Sequence, residues 1–139
     1  MGMKARISRP VLQRIIADAA AFPGEEICGL LFGAPQCIDA AKPCANVAAD
    51  RSDSFEIDPA ALLAAHKAAR AGGPRVVGHY HSHPNGLPRP SPRDVLAAAP
   101  DGAYWLIVGG GEARLWRARI DGQGFDPVEL EAAPGCAQG

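Results

Sequence analysis

Three helix starts with proline in the first turn divide this chain and limit the folds that it can adopt. Each start pairs a capping residue with a proline: Ser8 with Pro10, Asp58 with Pro59, and Ser91 with Pro92. A side-chain oxygen at the cap accepts a free backbone N–H, and proline fits a first turn whose N–H groups have no helical partner. Glycines at Pro23-Gly24 and Gly72-Gly73 end the first two helices. The spacing therefore predicts three helices with other elements between them.

The segments between these helices have the length and composition of strands. We expect strands at residues 27–34, 36–49 (weaker and partly polar), 75–83, 104–108, 113–120 and 127–130. Prolines and polar residues predict loops at 84–90 and 51–55. Because the helices must cover a sheet that contains hairpins and a crossover, the order predicts a single-domain α/β fold, a mixed β-sheet flanked by helices. We expect one domain over residues 1–139, with a core at about 8–131 and a disordered tail at 132–139.

Composition excludes several classes of protein. Hydrophobic residues make up 47% of the 139 residues and the net charge is −1, which argues against disorder and against a broad surface for nucleic acid or anionic lipid. There is no apolar stretch of about 18 residues and no secretory signal pattern, so we expect a cytoplasmic protein that does not enter a membrane. The oligomeric state stays open.

The cysteines do not have the spacing of a metal site. Cys28, Cys37, Cys44 and Cys136 form no C-x-x-C pair, and a chain of this size has enough core without disulfides. We expect reduced thiols, with a Cys37–Cys44 bridge as the alternative.

The stretch HYHSHPNGLPRPSPRD, residues 79–94, carries the chemistry. On a strand His81 and His83 point to the same side, where two imidazole nitrogens can bind one metal ion such as zinc. Asp94, in the first turn of the next helix, supplies a carboxylate if the proline-rich loop folds that turn back. Three protein ligands leave a fourth position open, which is typical of a catalytic site.

Other kinds of site do not match the sequence. A serine hydrolase would need a G-x-S-x-G elbow, a zinc deaminase an H-x-E with P-C-x-x-C, and a phosphate loop a Lys after its glycines. The run 109–111 is therefore expected to be a hairpin turn. We expect His66, which lies among alanines on the second helix, at the surface.

This motif resembles that of the JAMM (MPN+) zinc metalloproteases. Their pattern is His-x-His-Pro, six residues, Ser, two residues and Asp, and it stands here as His81, His83, Pro84, Ser91 and Asp94. EEICGLLFG, FEIDP and YWLIVG also look like segments of the small bacterial members, so the resemblance covers roughly residues 12–130. It implies an MPN/JAB-like fold of cytidine-deaminase-like architecture.

The resemblance also implies roles for these residues. His81, His83 and Asp94 would bind one zinc ion per chain, which supplies hydroxide at neutral pH and polarises the scissile carbonyl. Glu26, with Glu25 as the fallback, would take the proton of the water and pass it to the departing amine. Ser91 would stabilise the oxyanion through its hydroxyl, and it is also a natural helix cap.

His79 departs from the family pattern, which has a large apolar or aromatic residue there. It shares a strand face with His81 and His83 and could act as a third nitrogen ligand or as a supporting residue. We expect strand twist to carry His79 away from the metal.

The implied function is a zinc-dependent peptidase or isopeptidase. It would hydrolyse an amide bond at the Gly-rich C-terminal tail of a ubiquitin-like protein of the sulfur-carrier type, because an extended Gly-Gly tail fits a narrow site. The chain lacks room for the insertion that gives linkage choice, so polyubiquitin specificity is not expected. The alternatives are a non-catalytic MPN-type interaction scaffold and an enzyme that is active only within a larger complex.

Overall fold

The strands form one mixed sheet that closes on itself. A computed structural model describes residues 3–84 and 86–135. In chain order the elements are β1 (Met3–Ser8), α1 (Arg9–Ala21), β2 (Cys28–Ala34), β3 (Cys37–Cys44), α2 (Pro59–Arg70), β4 (Val76–Ser82), α3 (Pro92–Ala97), β5 (Tyr104–Gly109), β6 (Glu112–Ala118) and β7 (Phe125–Ala133). The predicted helices and strands are confirmed, and with them the α/β class.

The sequence-based prediction misses one strand, β1. Its residues alternate between exposed Lys4 and Arg6 and buried Ala5 and Ile7, as expected of a strand with one buried face. β1 pairs in parallel with β7 along its whole length. This pairing extends β7 to Ala133. The prediction that a disordered tail starts at residue 132 is therefore wrong for residues 132 and 133. Residues 136–139 lie outside the described part of the chain.

The strand order brings the ends of β4 and β5 together with α3. The order is β1-β3-β2-β4-β5-β6-β7, with β4 antiparallel to β2 and parallel to β5. A parallel pair needs a crossover connection, and α3 lies within the one that joins β4 to β5. The first turn of α3 consequently lies beside the end of β4.

The two faces of β4 have different partners. Tyr80 is buried in the hydrophobic core with Ile15 of α1, Leu31 and Leu106. His79 and His81 point to the opposite face, because successive strand side chains alternate. α2 contributes no buried residue, unlike α1. Of the helices in residues 3–84 and 86–135, none has the length and hydrophobicity needed to cross a lipid bilayer.

The structure corrects part of the expectation that the cysteines are reduced. Cys28 and Cys44 carry free thiols, so the alternative Cys37–Cys44 bridge is wrong. Cys37 is disulfide-bonded, which corrects the expectation of a reduced thiol at that position. Cys136 lies outside the described residues. The expected hairpin turn is confirmed, with positive φ at Gly110 and Gly111 between β5 and β6.

Candidate metal centre

Two imidazole rings meet at the end of β4. His81 lies near the last residue of the strand and His83 just beyond it, and their Nε2 atoms are 3.0 Å apart. His81 is fully buried and His83 is 8% exposed. Two ring nitrogens at this distance, largely shielded from water, need a shared proton, a carboxylate or a cation between them.

Asp94 completes this arrangement because of the way α3 begins. The Ser91 Oγ accepts the Asp94 N–H at 3.1 Å, and Asp94 Oδ2 accepts the Ser91 N–H at 2.9 Å, which forms a reciprocal capping box. The same Oδ2 lies 3.2 Å from His81 Nε2 and 3.1 Å from His83 Nε2. The cap that the sequence predicts therefore aims the carboxylate at the two rings.

The three converging atoms fit a single metal ion. Ligands about 2.0–2.1 Å from a tetrahedral zinc ion stand about 3.3–3.4 Å from one another. The three distances here, 3.0, 3.1 and 3.2 Å, are close to that spacing. Two imidazoles and one carboxylate oxygen are also donors that zinc accepts, and they leave a tetrahedral position free.

Glu26 approaches the same point from β2's side of the sheet. One of its carboxylate oxygens lies within 4.8 Å of ligand nitrogens of His81 and His83, and the residue is only 5% exposed. The segment between β3 and α2 holds its backbone: the Glu26 N–H donates to the Arg51 carbonyl at 2.6 Å, and Asn46 Nδ2 donates to the Glu26 carbonyl at 2.9 Å. Glu26 Oε1 is buried without a hydrogen-bond partner among the described residues.

Glu25, the fallback, lies in a different environment. Its carboxylate forms an exposed ion pair with Arg51 Nε at 3.2 Å and is absent from the group of potential ligands. Of the two neighbouring glutamates, the structure brings only Glu26 to the histidines.

Burial and neighbouring charges set the protonation of these groups. Burial, reinforced by the charge of Asp94, raises the pKa of Glu26 to about 7. Burial alone would also raise the pKa of Asp94, but hydrogen bonds from His81 and His83 hold it well below its usual range. Burial lowers the pKa of His81. For His83, hydrogen bonds to Asp94 and to a carbonyl outweigh burial and raise the pKa.

The surrounding residues orient both rings. The Nδ1–H of His83 donates to the Leu87 carbonyl at 2.7 Å, so Nε2 is the ring nitrogen that faces Asp94 and would bind a metal. The Phe55 ring stacks on His81 with a centroid distance of 4.2 Å and an interplanar angle of 19°. Sequence reasoning misses Phe55, Leu87 and Asn46, since only the folded loops bring them to the site.

His79 packs away from the converging atoms. Its ring lies 4.3 Å from that of Trp105 and 5.5 Å from that of Phe55, measured between centroids. Its Nδ1 is buried without a hydrogen-bond partner among the described residues, and burial lowers its pKa to about 3. The group of potential metal ligands found by mutual distance contains Glu26, His81 and His83; it contains neither His79 nor Asp94, and of these two it is Asp94 that lies within 3.2 Å of both rings.

Two other side chains named from the sequence have simple structural roles. His66 is exposed on α2, as expected. Cys28 is buried, its thiol donates to the carbonyls of Cys44 and Ala45, and burial raises its pKa to about 12. Because the thiolate is the nucleophile, burial and the raised pKa make Cys28 poorly suited to nucleophilic catalysis.

The fold and this centre together define the chain as a JAB/MPN-type domain with a potential metal site. It belongs to the prokaryotic homologs of the JAB domain, whose family model matches residues 8–119. The resemblance to the JAMM/MPN family is thereby confirmed.

Similar proteins agree with this assignment. The chain is 36% identical over 99 residues to a desampylase of Haloferax volcanii, covering 70% of this chain and 71% of that protein. It is 33% identical over 97 residues to a probable TtuB-protein conjugate cleaving protease of Thermus thermophilus, covering 70% and 65%. A solved structure described as a JAMM metalloprotease-like zinc site in the proteasome and signalosome aligns over 94% of this chain and 99% of its own, with TM-score 0.58. At 21% identity this last likeness bears on the fold alone.

Proposed function

We propose that this protein is a zinc-dependent metallopeptidase or isopeptidase. It hydrolyses an amide bond at the C-terminal tail of a ubiquitin-like protein of the sulfur-carrier type. The observation that carries the proposal is the convergence of His81 Nε2, His83 Nε2 and Asp94 Oδ2 beside a buried Glu26. The names of the two relatives, a desampylase and a conjugate cleaving protease, support the substrate class.

In this proposal His81, His83 and Asp94 hold one zinc ion per chain. When bound, zinc supplies a hydroxide nucleophile at neutral pH and polarises the substrate carbonyl. The Leu87 carbonyl, the Phe55 ring and the capping box orient the three proposed ligand atoms. This preorganisation favours metal binding, because little side-chain freedom is lost.

Glu26 is the proposed general base and acid. It takes the proton of the attacking water and later gives it to the departing amine. A carboxyl group whose pKa lies at about 7 accepts and returns a proton near neutral pH more readily than an exposed glutamate. The free Oε1 has no competing partner among the described residues.

Ser91 is proposed to donate a hydrogen bond to the oxyanion. A hydroxyl has one proton and two lone pairs, and the capping box uses Oγ as an acceptor only. The proton is therefore available for the oxyanion, so that the helix cap and the catalytic role do not compete.

The finer features of the substrate and setting are also proposals. A glycine-rich tail suits a site bordered by Leu87 and Phe55, since glycine adds no side chain that must be accommodated. We infer one domain over residues 1–139, as the family match from 8 to 119 supports. Cytoplasmic location stays a prediction, which cell fractionation would test.

Metal analysis combined with a cleavage assay tests the proposed function. We expect one zinc per purified chain by inductively coupled plasma mass spectrometry. We also expect release of the fused segment from a ubiquitin-like protein ending in Gly-Gly, with loss of activity in chelator. A chain that binds well below one zinc even when zinc is added would instead support the non-catalytic scaffold.

A further inference from the structure

A groove between α1 and β3 ends at Glu26. It consists of two adjoining cavities of about 500 and 220 Å³. The two share Arg14 and Asp18 of α1, Pro43 of β3 and Tyr80, and Glu26 lines the larger one. The groove therefore runs between α1 and β3, and its larger cavity reaches the segment before β2 that holds Glu26.

The edge of β3 that borders this groove has unused backbone groups. β3 pairs with β2 along its whole length, but with β1 only at Cys37 and Ile38. Among the described residues, the stretch from Asp39 to Cys44 has no backbone pairing on its other side. Pro43, which cannot donate to a ladder, is typical of such an edge strand. An open edge is a template on which an extended peptide can add a strand.

Tyr80 places a polar atom in the same groove. The residue is only 1% exposed, yet it lines both cavities, and its hydroxyl makes no hydrogen bond to any described residue. Its ring lies against Gly29, where an added Cβ would contact the ring and the hydroxyl. The hydroxyl oxygen is not one of the buried atoms that lack a partner among the described residues, so it faces the groove, where water or a ligand can hydrogen-bond to it.

The chemistry decides which part of a substrate reaches this groove. A general acid must touch the departing nitrogen, so the amine side of the scissile bond faces Glu26. Ser91, on α3, would face the carbonyl oxygen instead. We propose that the groove between α1 and β3 binds the polypeptide attached to the departing amine, as an extended strand along the open edge of β3. This inference rests on the proposed function.

The groove selects an extended backbone rather than a charge. Apart from Glu26, its charged residues are paired with each other, Arg14 with Asp18 at 3.9 Å and Arg51 with Glu25 at 3.2 Å. The matching partner is an unfolded segment of the conjugated protein around the modified lysine. A folded surface would not reach the strand edge between the helix and the sheet.

Two substrates with the same scissile bond test this proposal in the zinc-loaded enzyme. Both carry a ubiquitin-like protein ending in Gly-Gly, joined in one case to the ε-amine of Nα-acetyl-lysine amide and in the other to the central lysine of a nine-residue peptide rich in Val and Thr. We expect kcat/KM for the peptide conjugate to be at least tenfold higher, mainly through a lower KM. Equal values would overturn the proposal.

Matched variants locate the effect. Arg14→Trp fills the groove, whereas Gln13→Trp adds the same side chain at an exposed α1 position that does not line it. We expect the ratio of the two kcat/KM values to fall at least fivefold in Arg14→Trp and about threefold in Tyr80→Phe, which loses one hydrogen-bonding group. Gln13→Trp keeps the wild-type ratio. A ratio that Arg14→Trp and Tyr80→Phe leave at the wild-type value would contradict the assignment.

A binding measurement separates this proposal from the proposed function. The free nine-residue peptide is titrated into the 15N-labelled, zinc-loaded full chain. We expect chemical-shift changes at residues 39–44 and Tyr80, whether or not the chain hydrolyses either conjugate. Shifts confined to α2, or no shifts at millimolar peptide, would overturn the groove assignment. Failure of the zinc-loaded chain to cleave both conjugates would instead count against the proposed function.

Discussion

At this centre one carboxylate oxygen both caps a helix and contacts the two histidine rings. Asp94 Oδ2 accepts the Ser91 N–H and lies 3.1–3.2 Å from both ring nitrogens. The capping hydrogen bond orients the Asp94 carboxylate, so the position of this proposed ligand follows from local helix chemistry. A residue that closes the helix start and points at the metal site cannot be replaced without disturbing both.

The two adjacent glutamates allow a direct test of the proton carrier. We expect Glu26→Gln to retain one zinc per chain and to lose 10²–10⁴-fold in kcat, because the amide cannot exchange the proton. Glu25→Gln is the matched control, since it removes an exposed charge of the same type one residue away. Metal analysis and cleavage rates on the same samples provide the comparison. An active Glu26→Gln would move the base elsewhere.

The raised pKa of Glu26 also predicts that the stability of the chelator-treated protein depends on pH. Its folded pKa of about 7 exceeds the ordinary value of 4.5, so the folded chain holds the proton more tightly than the unfolded chain. The stabilisation is complete below pH 4.5 and is lost as the pH rises to about 7, by about 3 kcal/mol in all.

Urea unfolding of the wild type and of Glu26→Gln across this pH range measures the effect. The histidines and Asp94 titrate in both proteins, so the difference between the two curves reports Glu26 together with its electrostatic interaction with His83 and Asp94. We expect the free energy of unfolding of the wild type to fall relative to the variant as the pH rises. A difference that stays constant with pH would contradict the raised pKa.

His79 should be dispensable for metal binding. Its ring packs on Trp105 and Phe55, and an aromatic replacement keeps that packing. We expect His79→Phe to bind one zinc per chain and His81→Ala to bind none, measured side by side after dialysis against zinc-free buffer. Loss of zinc from His79→Phe would make His79 a ligand.

At the level of elements, local sequence signals account for most of the fold. Asp58-Pro59 and Ser91-Pro92 mark two helix starts that the structure places at Pro59 and Pro92, because capping and proline geometry act within a few residues. β1 escapes prediction although Lys4 and Arg6 alternate with Ala5 and Ile7, since the stretch is short and its partner β7 lies at the other end of the chain.

The sequence likewise predicts some features of the candidate site and not others. The spacing of His81, His83 and Asp94 can be found in the sequence, because strand alternation and a helix cap fix their directions. The contacts of Phe55 with His81 and of the Leu87 carbonyl with His83 cannot be found in the sequence, since each depends on how a loop returns to the sheet. The relative positions of the proposed ligands follow from local sequence, whereas the contacts that orient them depend on tertiary structure.

α3 provides a test at the scale of one element. Ser91→Ala removes both the cap acceptor and the hydroxyl donor, and we expect a loss of about 1 kcal/mol of stability and about 10²-fold in kcat. Ser91→Thr keeps both groups and should restore most of each. Thermal unfolding and cleavage rates separate the two effects. Unchanged kcat in Ser91→Ala would leave Ser91 as a helix cap alone.

For the whole molecule, the candidate centre joins elements that are distant along the chain. Glu26 precedes β2, the histidines end β4 and Asp94 begins α3, so one ion would connect the central sheet to its crossover helix. All four of these polar side chains are only 0–8% exposed, and the contacts that His81, His83 and Asp94 make with one another are the main compensation for this burial among the described residues.

Metal removal should therefore weaken the entire fold rather than one loop. A ligand that binds only the folded state adds about 4 kcal/mol when its free concentration is a thousandfold above its Kd. We expect zinc to raise the urea midpoint of the wild type by at least about 1 M, and chelator to reverse the change. His81→Ala should show the same midpoint with and without zinc, because it lacks a ligand at the buried centre. Equal stabilisation of both proteins would place the zinc at some other, adventitious position.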